Sequence, residues 1–220
     1  MAKYLLFFEK RGLIKYTSHL DLLRIFKRAF NKASIQLVYS EGFNPHPRLT
    51  FCQPLSLGFE GAYEPLEFET PEEYNGEDLM MRLNENLPKG LKILKVQSRI
   101  EEKRSIAKTL NKACYKIRLS GSLFKEDFPF LVKQFMTLKE ITAERQNKKR
   151  KRVETINIRP LIVEITGFYE NETPVLNCIL RAGSNGNLSP ELVILSFFKY
   201  AKVDFVRNEI QVERLYLEFE

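Results

Sequence analysis

The order in which hydrophobic periodicity changes along this chain limits its fold more than any other feature. Lys3 to Glu9 is a short apolar run rich in Leu and Phe and reads as a buried strand. A polar turn over Lys10 to Tyr16 leads to a helix from His19 to Ala33, with Leu20, Leu23, Phe26, Phe30 and Ala33 at helical spacing. Ser18 is placed to cap it, with the Asp21 carboxylate accepting from the Ser18 backbone N–H as in a capping box. Gln36 to Ser40 reads as a second strand, and Gly42, Pro45 and Pro47 force Glu41 to Arg48 into a loop. Leu49 to Phe59, broken by Pro54 and Gly58, suits an irregular or edge strand. Pro65 to Glu69 alternates as a strand, and Gly76 to Leu87 is an amphipathic helix stopped by Pro88, Lys89 and Gly90 before a strand over Leu91 to Val96. Strand, helix, strand, strand, helix, strand is the order of a ferredoxin-like split βαβ unit.

The order then restarts. Tyr115 to Ser120 reads as a strand, Glu126 to Leu138 as a helix and Ile141 to Glu144 as a short strand. Arg145 to Arg152 is a basic hairpin tip, after which Val153 to Ile158, Leu161 to Tyr169 and Val175 to Arg181 are strands. Ser189-Pro190 opens a helix through Tyr200, with proline at its first position, and Ile210 to Phe219 alternates. The expected fold is α+β: two tandem ferredoxin-like units with mainly antiparallel sheets, the second carrying an added basic hairpin. The expected boundaries are a first domain over 1–98, a linker over 99–112 and a second domain over 113–220.

Charge bears on partners rather than on fold. The formal net charge is +7, an excess that suits a polyanion. The cysteines, Cys52, Cys114 and Cys178, are odd in number and lack CxxC spacing, which argues against a disulfide framework or a cysteine metal site. They are expected as small, partly buried hydrophobes. The N-terminal apolar run is too short for a signal core or a membrane span. A cytoplasmic protein without membrane association, metal or cofactor is expected.

Three features invite function. On the first helix, Arg24, Lys27, Arg28 and Lys32 form a basic stripe, which serves either as a phosphate contact or as a solvated face. The loop after it holds Phe43, which offers a ring for base stacking, Asn44 with paired donors and acceptors, and His46 clamped between two prolines. The alternative is a rigid turn in which Asn44 bonds its own backbone and His46 caps a neighbouring strand. His19, Asp21 and His46 are the candidates for acid–base chemistry on a ribose hydroxyl and its phosphate, although a histidine at a helix start is more often structural. Third, the tract Arg145, Gln146, Asn147, Lys148, Lys149, Arg150, Lys151, Arg152 has six basic residues of eight, and their self-repulsion favours a counter-charge such as RNA.

The stretch from Tyr16 to Gly58 resembles the signature of the radical-SAM-linked protein family, a domain of unknown function. The matching positions are Ser18, His19, Leu20, Asp21, Arg24 and Arg28, then Gly42, Phe43, Asn44, Pro45, His46 and Pro47, then Pro54 through Gly58. Ser56 stands where the family pattern has a second proline, and Ile158 to Ile162 also resembles a family element. The resemblance implies a radical-SAM partner encoded beside such proteins or fused to them, often near ribosomal-protein and ribonuclease genes. The chain has no CxxxCxxC triplet, so an iron–sulfur cluster would be the partner's. The expectation is a basic RNA-binding or accessory protein, with RNA or a ribonucleoprotein and a radical-SAM protein as partners. The alternatives are a metal-independent RNA-processing enzyme and a protein–protein adaptor.

Overall fold

Residue patterning and structure agree on most elements. A computed structural model describes residues 1–99, 104–120, 127–147, 152–184 and 186–220. In chain order the elements are β1 (Ala2–Lys10), α1 (His19–Lys32), β2 (Leu49–Phe51), β3 (Glu60–Thr70), α2 (Gly76–Asn84), β4 (Leu91–Ser98) and β5 (Leu110–Arg118). There follow α3 (Phe128–Thr137), β6 (Thr142–Asn147), β7 (Arg152–Asn157), β8 (Ile162–Glu170), β9 (Thr173–Arg181), α4 (Pro190–Ala201) and β10 (Gln211–Phe219). The protein is mixed α+β, with mainly antiparallel strand pairing and four α-helices among the described residues. It divides into two compact units, Met1–Leu110 with Arg214–Glu220, and Asn111–Glu213.

In the first unit the strands run in the order β4-β1-β3, and β2 pairs with β3 on its far side. All three pairings are antiparallel, with Leu6 opposite Leu66 and Val96, and Leu49 opposite Phe68. Strand alternation sends Ala2, Tyr4, Leu6 and Phe8 into one core with Phe26 and Phe30 of α1 and Leu79 and Leu83 of α2. Phe8 meets Phe26 edge-on at 5.0 Å, and Phe30 lies 4.9 Å from Phe68. Each phenylalanine so buried contributes about 1.5–3 kcal/mol.

The buried stripe of α1 is Leu22, Phe26, Ala29 and Phe30, continued by Ala33. Leu20, expected in it, is 63% exposed. At about 100° per residue Leu20 points about 120° away from Phe26, outside the seam that Leu22 and Ala29 fill. The far end of α1 is closed by Arg82 of α2, whose Nε donates to the Ala33 carbonyl at 3.1 Å and whose Nη2 donates to that of Ser34 at 3.2 Å. Gly90 has φ +94, and a Cβ there would collide with the Arg11 carbonyl, so only glycine fits this turn.

The expected strand over Gln36 to Ser40 is a correction. This segment forms one isolated bridge, Tyr39 to Pro47, and Val38 alone donates to β3, at the Glu69 carbonyl (2.9 Å). Arg48 takes the neighbouring place on Glu69, its carbonyl accepting from the Glu69 N–H at 3.1 Å, which leaves no room for a continuous ladder.

In the second unit the order is β5-β9-β8, antiparallel throughout, with Tyr115 opposite Cys178 and Cys178 opposite Ile165. β6 and β7 make a separate two-stranded hairpin. Asp127 and Ser189 cap α3 and α4, and Phe197 packs edge-on against Phe128 and Phe135 at 6.0 and 5.3 Å. Pro160 sits in a single 3-10 turn before β8, as its missing N–H requires.

Candidate functional site

The start of α1 is built by Ser18. Its Oγ accepts from the Asp21 backbone N–H at 3.2 Å and donates to Asp21 Oδ2 at 2.7 Å. The expected reciprocal bond from the Ser18 backbone to Asp21 is therefore replaced by a hydroxyl–carboxylate bond, because aspartate is one methylene too short for the glutamate-type closure. Asp21 Oδ1 accepts from Arg24 at 2.6 Å. The Ser18 hydroxyl first, and Arg24 second, hold the Asp21 carboxyl below its ordinary range. Asp21 is an anchored anion, not a base poised near neutrality.

Opposite the buried seam, Arg24, Arg28 and Lys32 are exposed and Lys27 is half-exposed. Among the described residues no carboxylate pairs with Lys27, Arg28 or Lys32, whereas Arg24 is tied to Asp21. The stripe is an open field of positive charge along one helix.

The loop is closed at its neck by two bonds between the same residues. Ser40 N–H donates to the His46 carbonyl at 2.8 Å, and His46 N–H donates to Ser40 Oγ at 3.0 Å. Arg48 then fastens it to β3 through Glu69 at 2.8 Å. Gly42, at φ +116, turns the chain where an L side chain would be strained. Phe43 at the tip is fully exposed, and Asn44 and His46 are exposed. It is the backbone of His46, not its ring, that holds the loop together. Among the described residues Asn44 makes no hydrogen bond, so the self-bonded turn does not form.

His19 packs edge-on against Phe51 at 5.2 Å. His46 lies at the loop neck, five residues before Phe51. Among the described residues no hydrogen bond, ion pair or ring contact joins His19, Asp21 and His46 to one another. Nor does any group of three or more His, Cys, Asp or Glu side chains gather with metal-binding geometry among those residues.

Of the basic tract, Arg145 stands on β6 opposite Glu154, and Arg152 stands on β7 with its Nε 2.9 Å from Glu154. Both arginines are exposed. Lys148, Lys149, Arg150 and Lys151 lie outside the described residues.

Sequence reasoning missed two arrangements. One is a buried charge cluster: Arg214, 1% exposed, donates through Nε to Glu64 at 2.9 Å, through Nη2 to the same carboxylate, and through Nη2 to the Gln53 carbonyl at 2.8 Å. Buried Lys10 joins it, donating to the Lys15 and Thr17 carbonyls. Burial, the largest influence, holds the Lys10 ammonium below its ordinary value, with Glu64 opposing the shift and Arg214 adding to it. The other is Phe7 stacked on Tyr63 at 4.3 Å. A signal for it was present: Phe7 is out of phase with Tyr4, Leu6 and Phe8, and period-two reading puts it on the opposite face.

No helix among the described residues is long and apolar enough to cross a membrane. The family model described as "uncharacterized protein conserved in bacteria (DUF2344)" matches residues 3–190, and the chain belongs to that family. No curated protein matches the chain. A solved structure, of an unknown protein from Galdieria sulphuraria, is 11% identical over 98% of this chain and 99% of that one, with a TM-score of 0.28. Similarity that low decides neither fold nor function.

Proposed function

We propose that this member of the family is a basic RNA-binding or accessory protein, acting in the cytoplasm with a radical-SAM partner in RNA or ribosome modification. The observation that carries the reading is the unpaired cationic face of α1, Lys27, Arg28 and Lys32. Three uncompensated cations on one helix face repel each other, and phosphates relieve that repulsion while releasing counterions. Supporting it, the loop after α1 presents Phe43 and unbonded Asn44 to solvent, the side-chain types that stack on and hydrogen-bond unpaired bases. The radical-SAM partner is supported by the resemblance of the SHLDL and GFNPHP residues to the signature of radical-SAM-linked proteins. Any iron–sulfur chemistry would be the partner's.

The fold reading belongs with this proposal. Supporting a split βαβ reading of the first unit, β1 lies between β4 and β3 and β2 pairs with β3, although β10 also neighbours β3; in the second unit β5-β9-β8 with two helices supports a similar plan, with β6–β7 as the added pair. We read the chain as two tandem ferredoxin-like units, a sheet architecture on which RNA-binding modules are also built.

The test is a titration of structured RNA across a salt series. Affinity should fall steeply from about 50 mM to about 200 mM salt. Absence of binding at the low end, or a flat salt profile, overturns the reading. A second reading is favoured by one observation, the complete exposure of Phe43: the loop is a protein anchor that docks on the radical-SAM subunit. Co-purification of the two proteins after nuclease treatment would favour it over direct RNA binding.

A further inference from the structure

We infer that the first unit carries a second nucleic-acid surface: the face of its sheet opposite the helices is a stacking platform for unpaired RNA bases, with Phe7 and Tyr63 as its aromatic pair. The inference rests on the RNA-binding reading above and specifies the form of RNA, single-stranded, that this surface takes.

The two rings come from β1 and β3, neighbouring strands with β4 beyond β1 and with both β10 and β2 on the far side of β3. Even-numbered residues of β1 enter the helix-facing core, so Lys3, Leu5, Phe7 and Glu9 share the other face. Phe7 sits opposite Pro65, which puts Tyr63 at the diagonal position where long side chains meet. The rings are 4.3 Å apart with 14° between their planes, and both are half-buried. Standing together on the pleat, they present ring surface at the level where a splayed base lands.

Charge on this face is arranged for a polyanion. Lys95 is directly opposite Phe7, and Lys92 is opposite Glu9; both are exposed. Every carboxylate of the face on β1 and β3 is already matched. Glu9 has Arg11 at 3.1 Å, Glu67 has Arg99 at 3.0 Å and Lys3 at 3.5 Å, and Glu69 has Arg48 at 2.8 Å. Among the described residues no carboxylate pairs with Lys92 or Lys95. The β1 and β3 acids of the face are thus paired, while among the described residues the lysines beside the rings have no carboxylate partner, a pattern that suits a groove following a phosphate backbone.

The platform also has an end. Ser105 and the Ile106 N–H bond to Glu67 at 2.5 and 3.2 Å, so this segment covers the Glu67 end of the face and leaves the Phe7 end open. Beside the cover lies a groove of about 450 Å³ whose lining includes Leu5, Gln97, Arg99, Arg104 and Phe219, with Glu220 as its one acidic residue among the described residues. Gln97 is opposite Leu5 on β4, two residues from Lys95, so the groove continues the platform along β4. Duplex RNA keeps its bases stacked internally and cannot use the rings, whereas single strands can.

The experiment titrates the full chain with a fluorescent short oligouridylate and, in parallel, with duplex RNA of equal length. Phe7→Leu and Tyr63→Leu should each weaken oligouridylate binding about tenfold, the loss expected for one base–ring stack. The salt slope and duplex affinity should not change. Photo-crosslinking of a 5-iodouridine oligomer to the unaltered protein should map to Phe7 or Tyr63, which keeps the test valid if a variant misfolds. If the oligomer binds but both variants match wild type and crosslinks fall on α1 or the Phe43 loop, the platform is wrong and RNA binding stands. If wild type binds no RNA at low salt, both readings fall.

Discussion

Replacing Arg214 with Met probes how a buried charge cluster holds the first unit. Arg214 is 1% exposed and contributes a two-pronged bond to Glu64 plus one to the Gln53 carbonyl. Methionine keeps much of the volume and removes the charge, leaving Glu64, 3% exposed, with Lys10 as the remaining nearby cation among the described residues. Breaking a buried pair from one side costs about 3–5 kcal/mol, and residual Lys10 attraction places this case near the lower end. For a chain of this size about 3 kcal/mol lowers Tm by about 6–12 °C. Circular dichroism melting at neutral pH measures it. Adding Glu64→Gln to Arg214→Met should cost little further, because it removes the buried charge that the first substitution strands. A loss under about 1 kcal/mol, or two substitutions whose effects simply add, would refute the reasoning.

Two smaller predictions follow from local geometry. Ser18→Ala removes both capping bonds and should destabilise the fold by about 1 kcal/mol; by NMR the Asp21 carboxyl should titrate higher, having lost its main hydrogen-bond donor. The three thiols are buried; burial pushes Cys52 up to about 12 and raises Cys178 further. Iodoacetamide at mildly alkaline pH should therefore leave the native protein unlabelled and modify all three cysteines in denaturant, and rapid native labelling of Cys52 would contradict that burial.

Elements set by one strong local signal were legible in sequence. Ser18 before an apolar helical stripe, Ser189-Pro190, the Gly42–Pro47 loop and the alternation of Ile210 to Phe219 all appear where the residues place them. Elements decided by neighbours were not. Gln36 to Ser40 has strand composition, but its place beside Glu69 is shared with Arg48, so only a bridge survives. The Pro65 to Glu69 alternation reads as a strand but says nothing of what covers Glu67, which Arg99, Ser105 and Ile106, all distant in sequence, bury. At the candidate site, composition correctly marked α1 as cationic on the face opposite its core. It could not say that Asp21 is committed to Ser18 and Arg24, because helix spacing permits that pairing without requiring it. Arg214 and Glu64 are 150 positions apart, and no periodicity links them.

The most direct test of the central claim is the salt dependence of RNA affinity in wild type beside Lys27→Glu, Arg28→Glu and Lys32→Glu combined. Arg28 and Lys32 are exposed and Lys27 is half-exposed on the face away from the core, so the variant should melt close to wild type. RNA phosphates lose about 0.7 in log–log slope per lost contact, so the triple change should reduce the slope by about two and weaken low-salt binding strongly. Equal slopes and equal affinities for the two proteins would contradict the account.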